Sequence, residues 1–212
     1  MDILYQLPFP DEVCSKILLF ACKNPHTGLG VEVLKNKLKP GVSGDMNDLD
    51  ITDKDEDVTC IDTDEMIYYP YNMSIELFYY TCFTNLTLLN LCDTRAMGDI
   101  VCLKSMMKLR YLDIGDTGVT GNIMHLDSLL ELAVIYLQRT DVMGDINHFK
   151  SLLNLTDFNI CRTGVTGDIV DLKMLPNLTE IGILNTGVTG NEELFQEYRK
   201  SVGLKRCEIW RD

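Results

Sequence analysis

Glycine recurs at positions 98, 121, 144, 167 and 190, always 23 residues apart. Four of the five sit in near-copies of one phrase: Gly118-Val-Thr-Gly-Asn-Ile123, Asp141-Val-Met-Gly-Asp-Ile146, Gly164-Val-Thr-Gly-Asp-Ile169 and Gly187-Val-Thr-Gly-Asn191. A fixed period of this length is the mark of a stacked repeat, in which each unit buries its apolar face only against its neighbours. The period therefore predicts a solenoid for residues 85–190. It also favours binding over chemistry, because a solenoid is mostly surface.

Aligned on the glycines, the units share apolar columns: Leu86/109/132/155/178, then Leu89, Leu112, Ile135, Phe158 and Ile181, then Leu91, Ile114, Leu137, Ile160 and Ile183. Alternation of apolar residues in this stretch predicts a short strand with one face inward. A threonine column (94, 117, 140, 163, 186) follows, then Ala96 and valines 119, 142, 165 and 188, then the glycines. Beyond them, apolar residues spaced by three (such as Ile123, Leu126 and Leu129) suit a helical or 3-10 return. The glycines themselves suit turns with positive φ.

These residues resemble the leucine-rich repeat family, whose core phrase is Leu-x-x-Leu-x-Leu-x-x-Asn-x-Leu. Gly-Asp-Ile is similar to the Gly-x-Ile-Pro of plant-type repeats, without the proline, and threonine fills the asparagine column in all five units. A threonine hydroxyl can serve the turn as the amide would, and five of them could stack as a ladder. The resemblance implies an α/β repeat, a curved parallel sheet with helical or 3-10 turns on the return side; the residues before it add a short α-helical N-terminal segment.

The rest of the chain divides around this stack. Residues 1–40 read as helical, with Val13, Ile17 and Phe20 on one face. Leu7-Pro-Phe-Pro-Asp-Glu-Val-Cys-Ser-Lys-Ile-Leu19 also resembles the opening of an F-box, which implies a ubiquitin-ligase adaptor role through residues 7–19; an ordinary amphipathic helix is the other reading. Residues 41–66 form an acidic loop or linker, 67–84 an aromatic N-terminal cap, and 191–212 a C-terminal cap. In that last cap, Leu204, Cys207 and Ile209 align with Leu178, Ile181 and Ile183 at a spacing of 26, and Trp210, Arg211 and Asp212 are expected to seal the final strand.

Charge narrows the function. Of the net −13, residues 45–66 carry −9, from ten carboxylates against Lys54 alone. Nucleic-acid binding wants a basic stripe instead. The acidic phrase lacks the central glycine and final glutamate of an EF-hand, so a plain linker is expected, with cation binding as the alternative. No run is long and apolar enough to span a bilayer. Without a basic-then-apolar leader, the expectation is an intracellular, cytoplasmic protein, with the nucleus left open. The eight cysteines are dispersed and read as thiols. The recurring Asn-Leu-Thr sequons follow from the repeat itself.

No catalytic constellation is visible, so the chain is expected not to be an enzyme and to need no cofactor. Cys102, His125, His148 and Asp171 share one column, but rungs about 5 Å apart spread it too far for one tetrahedral zinc. No metal site is expected. Function should then lie on the strand residues that face away from the core: Asp93, Tyr111, Asp113, Asp116, Tyr136, Arg139, Asp157, Asn159 and Arg162. Their outermost column changes sign, from Asp93 and Asp116 to Arg139 and Arg162, and Tyr and Arg are frequent interface anchors. The sequence thus implies a non-enzymatic module that binds another protein on its concave face. The alternatives are the F-box-like adaptor and a structural subunit of a larger assembly.

Overall fold

The computed structural model describes residues 60–62, 75–77 and 85–211. The expected N-terminal helix, the F-box-like segment, most of the acidic stretch and most of the aromatic cap lie outside them, as does Asp212.

Each 23-residue unit contributes two strands, one to each of two parallel sheets. The first sheet runs β1 (Cys60–Asp62), β3 (Leu88–Asn90), β5 (Tyr111–Asp113), β7 (Val134–Tyr136), β9 (Asp157–Asn159), β11 (Glu180–Gly182) and β13 (Glu208–Trp210). The second runs β2 (Ile75–Glu76), β4 (Ala96–Asp99), β6 (Gly118–Asn122), β8 (Asp141–Asp145), β10 (Gly164–Asp168) and β12 (Gly187–Thr189). Neighbours in both sheets lie one unit apart, as Leu112↔Ile135 and Gly121↔Val142 illustrate. Four 3-10 turns close the prism: Ile100–Ser105, Ile123–Leu126, Ile146–Ser151 and Ile169–Leu172.

The apolar columns are the core. Leu89, Leu112, Ile135, Phe158 and Ile181 are buried, as are the leucines at 86, 109, 132, 155 and 178 and the valines of the second sheet. Phe149 and Phe158 meet edge to face at 5.6 Å between ring centres, where the middle units carry their largest side chains.

The second sheet is the main departure from expectation. Gly-Val-Thr-Gly reads as a turn, and its glycines do have positive φ, from 104° to 125°. Yet four of the five lie within the second-sheet strands, whose β-branched Val and Thr favour extended backbone. The residue after each glycine explains the return. Asp99, Asn122, Asp145 and Asp168 cap the 3-10 turns, each side chain accepting from the N–H two residues on at 2.8–2.9 Å.

Threonine also behaves differently from a ladder. Thr94, Thr117, Thr140, Thr163 and Thr186 each donate to the carbonyl three residues back in their own unit, at 2.6–2.8 Å. A hydroxyl has one hydrogen to donate, and in this column the carbonyl of its own turn takes it. Other groups join the rungs: the Asn154 and Asn177 amides donate to Leu130 and Leu153 carbonyls, both at 2.9 Å. The sequon column is thus rung-to-rung structure.

The C-terminal cap contains one helix, α1 (Glu192–Ser201), capped by Asn191 and with Glu192 and Glu193 in its first turn. It is longer than the 3-10 turns it replaces. The register shifts accordingly: Ile209, not Cys207, lies opposite Ile181, a spacing of 28 instead of 26. A two-residue shift keeps the same side chains inward, so alternation alone could not detect it. Trp210 is exposed, whereas Arg211 donates to the Val188 and Gly190 carbonyls at 3.2 Å and does the sealing.

Candidate binding face

The strand residues expected to face outward lie along the first sheet. Tyr111, Val134 and Asp157 are partly exposed and Glu180 is exposed. Tyr111 and Tyr136 meet edge to face on adjacent rungs, 6.0 Å between ring centres. Burial raises the Tyr136 hydroxyl above its ordinary pKa, helped by the carboxylates of Asp157, Glu180 and Asp113. The phenol therefore stays protonated and able to donate.

Two of the expected contact residues shape turns. The Asp113 carboxylate accepts from Gly115 N–H at 2.9 Å and is buried, while the Asn159 amide oxygen accepts from Cys161 N–H at 3.0 Å. Both are Asx turns that carry the chain out of the strand. They position the next column more than they display themselves.

That column holds the feature the sequence concealed. Asp93, Asp116, Arg139, Arg162 and Asn185 all have left-handed backbone, with φ from 53° to 58°. Asp and Asn adopt this conformation readily, but arginine gains no local hydrogen bond to offset the crowding of its Cβ. A column of Asp or Asn at the exit of every strand would have been the clue. Arg139 and Arg162 break it. Both are exposed, and Arg139 Nη1 meets Asp116 Oδ1 at 3.0 Å. With the arginine side chain 56% exposed, that rung-to-rung pair contributes only about 0–1 kcal/mol.

In the column of Cys102, His125, His148 and Asp171, a contact runs between units. His148 Nδ1 lies 3.8 Å from Asp127 Oδ2, on the neighbouring unit. Among the described residues, the donor atoms close enough to share an ion are those of Cys92, Asp93 and Asp116, within 4.8 Å of one another. Cys161 and Cys207 are free thiols.

Strands one unit apart in two parallel sheets, closed by capped 3-10 turns, can be compared with solved folds. The plant peptide hormone receptor RGFR1, solved with RGF2, is 25% identical over 66% of this chain, with a TM-score of 0.52. The leucine-rich repeat ectodomain of the receptor kinase SOBIR1 from Arabidopsis thaliana is 20% identical over 59% of it, at a TM-score of 0.51. This is the leucine-rich repeat fold. The Arabidopsis receptor kinase HAESA, solved with the peptide hormone IDA and the co-receptor SERK1, adds a third likeness: 19% identity over 65%, TM-score 0.54. The chain spans 72% of the SOBIR1 ectodomain but only 24% of RGFR1 and of HAESA. No protein-family model and no curated protein matches the sequence.

Within this leucine-rich repeat, the units differ from one another chiefly where side chains leave the core. The scaffold columns are nearly uniform. The exit column passes from two acids to two bases along successive rungs.

Proposed function

We propose that the chain is a non-enzymatic protein-interaction module, binding a partner protein on the concave face of its repeat sheet. Arg139 and Arg162 carry the reading: two exposed arginines on successive rungs occupy backbone that disfavours them. Strain of this kind persists where something other than stability selects the side chain. Tyr111 and Tyr136 supply a rigid aromatic anchor beside them, and Asp93, Asp116 and Asp157 give the face an acidic counterpart. A partner presenting acidic groups opposite the arginines, and a basic group opposite the aspartates, would bind in one orientation. RGFR1 is a peptide hormone receptor and HAESA was solved with a peptide hormone, which fits a peptide or protein ligand for a face of this kind.

The test is affinity capture with mass spectrometry, using the wild-type chain and the Arg139→Glu/Arg162→Glu variant. Charge reversal should abolish recovery of the partner that the wild type captures; equal recovery by both sinks the assignment. A second measurement separates recognition from structure. Arg162→Asn should raise stability by about 0.5–1 kcal/mol, because asparagine tolerates left-handed backbone. The same change should weaken partner capture. Lower stability in urea denaturation would show that Arg162 serves the fold.

A further inference from the structure

β13 is the last of the described strands in its sheet, and its two edges are unlike. Toward β11, Glu208 N–H donates to the Thr179 carbonyl at 2.7 Å and the Trp210 carbonyl accepts from Ile183 N–H at 2.9 Å. Alternation along a parallel ladder turns the peptide groups of Cys207 and Ile209 to the outer edge. Cys207 is served there by a side chain: the Gln196 carboxamide donates to its carbonyl at 2.6 Å and accepts from its N–H at 3.2 Å. One amide thus imitates one residue of an adjoining strand. Two residues on, at Ile209, none of the described strands continues the sheet.

A groove of about 840 Å³ runs beside this edge, between α1 and β13. Glu192, Glu193, Glu197 and Glu208 line it, against Lys200 and Arg206. Glu192 already pairs with Arg211 at 3.3 Å, which leaves three carboxylates facing two cations. Proline, a common block on such an edge, is absent from β13, and its one charge, Glu208, lines the groove.

We propose that the groove receives an extended, basic segment of a partner protein, which adds to β13 as a further strand. The Ile209 N–H and C=O supply main-chain pairing, as in strand addition generally. Alternate side chains of the incoming strand point into the groove, where Glu193, Glu197 and Glu208 favour lysine or arginine. The site lies at the end of the stack and does not depend on the arginines of the concave face.

The probe is a fluorescein-labelled hexapeptide of alternating valine and lysine, followed by anisotropy with the full chain. Two versions N-methylated at the valines or at the lysines, and a valine–glutamate peptide, complete the set. The lysine peptide should bind and the glutamate peptide should not. One of the two methylated versions should bind about tenfold more weakly, since only one edge of the strand pairs. Glu193→Lys/Glu197→Lys should weaken binding by about tenfold, with far-UV circular dichroism and Trp210 fluorescence unchanged. Arg139→Glu/Arg162→Glu should leave it unaltered, which keeps this site distinct from the concave face. Absence of binding, or equal binding by both methylated peptides, overturns the proposal. So does a dimer in sedimentation that Glu193→Lys/Glu197→Lys dissociates, because the groove would then hold a second copy of the chain.

Discussion

Arg199→Met is expected to destabilise the C-terminal end of the solenoid by roughly 2–5 kcal/mol. Arg199 is fully buried, yet no carboxylate answers its charge among the described residues. Its guanidinium instead donates to three carbonyls: Leu175 and Leu178 at 2.7 Å and Lys205 at 3.0 Å. It also stacks over the Phe195 ring, 5.5 Å from the centre. Burial lowers its pKa from the ordinary value, but an arginine starts high enough to stay charged at neutral pH. Five fixed donors on one plane suit this work, because three carbonyls from two parts of the chain converge on one side chain. Methionine fills similar volume and leaves two buried acceptors unmet. Lysine should recover less than half of the loss, since one ammonium cannot reach three divergent acceptors.

The observable follows from the one-dimensional character of a repeat stack, in which the loss of a terminal contact frays the end before the middle. Trp210 is the chain's only tryptophan and sits on β13. Its fluorescence reports the last rung, while circular dichroism reports the whole stack. In urea, the Arg199→Met variant should lose the fluorescence signal well before the dichroism signal. Coincident transitions, or an unchanged midpoint, would contradict the role given to Arg199.

Nothing in the sequence advertised that residue. Arg199 stands in a polar run, Gln196-Glu-Tyr-Arg-Lys200, where a charged side chain normally faces water. What periodicity could read was anything repeated five times. The inward columns, the 3-10 returns and the positive φ of the glycines all followed from spacing, because stacking forces identical positions into identical environments. What it could not read was the second sheet, since Gly-Val-Thr-Gly satisfies a turn and a short strand equally well. The register of β13 escaped for a related reason: helix α1 lengthens the last connection, and a shift of two preserves every inward side chain. For the proposed binding face, chemistry was legible and conformation was not. Arg139 and Arg162 stood out as charges, but only the backbone reveals that each occupies a position suited to asparagine or aspartate.

The recurrent glycine has a cause beyond its own backbone, which a second substitution exposes. At Gly167, with φ of 114°, an added Cβ would lie 2.5 Å from Asp145 Oδ1 and 2.8 Å from Ile146 Cγ2. Asp145 is the cap of the preceding 3-10 turn, held to Asn147 N–H at 2.8 Å. The same pairing recurs along the stack: Gly121 lies under Asp99, Gly144 under Asn122 and Gly190 under Asp168. Each glycine makes room for the cap of the unit before it, so the 23-residue period is a contact between units as well as a turn within one. Gly167→Ala should therefore cost about 3 kcal/mol, part from left-handed strain and part from overlap. Gly203, with φ of 79° and nothing within 4 Å, isolates the first part, so Gly203→Ala should cost only about 1 kcal/mol. Asp145→Ala alone should cost about 1 kcal/mol through the lost cap. If the glycine is needed for its neighbour, the Asp145→Ala/Gly167→Ala double variant should be more stable than the sum of the two predicts, by roughly 1 kcal/mol. Strict additivity in urea denaturation would mean that Gly167 answers only to its own φ. The coupling between adjacent units would then have to come from the core columns alone.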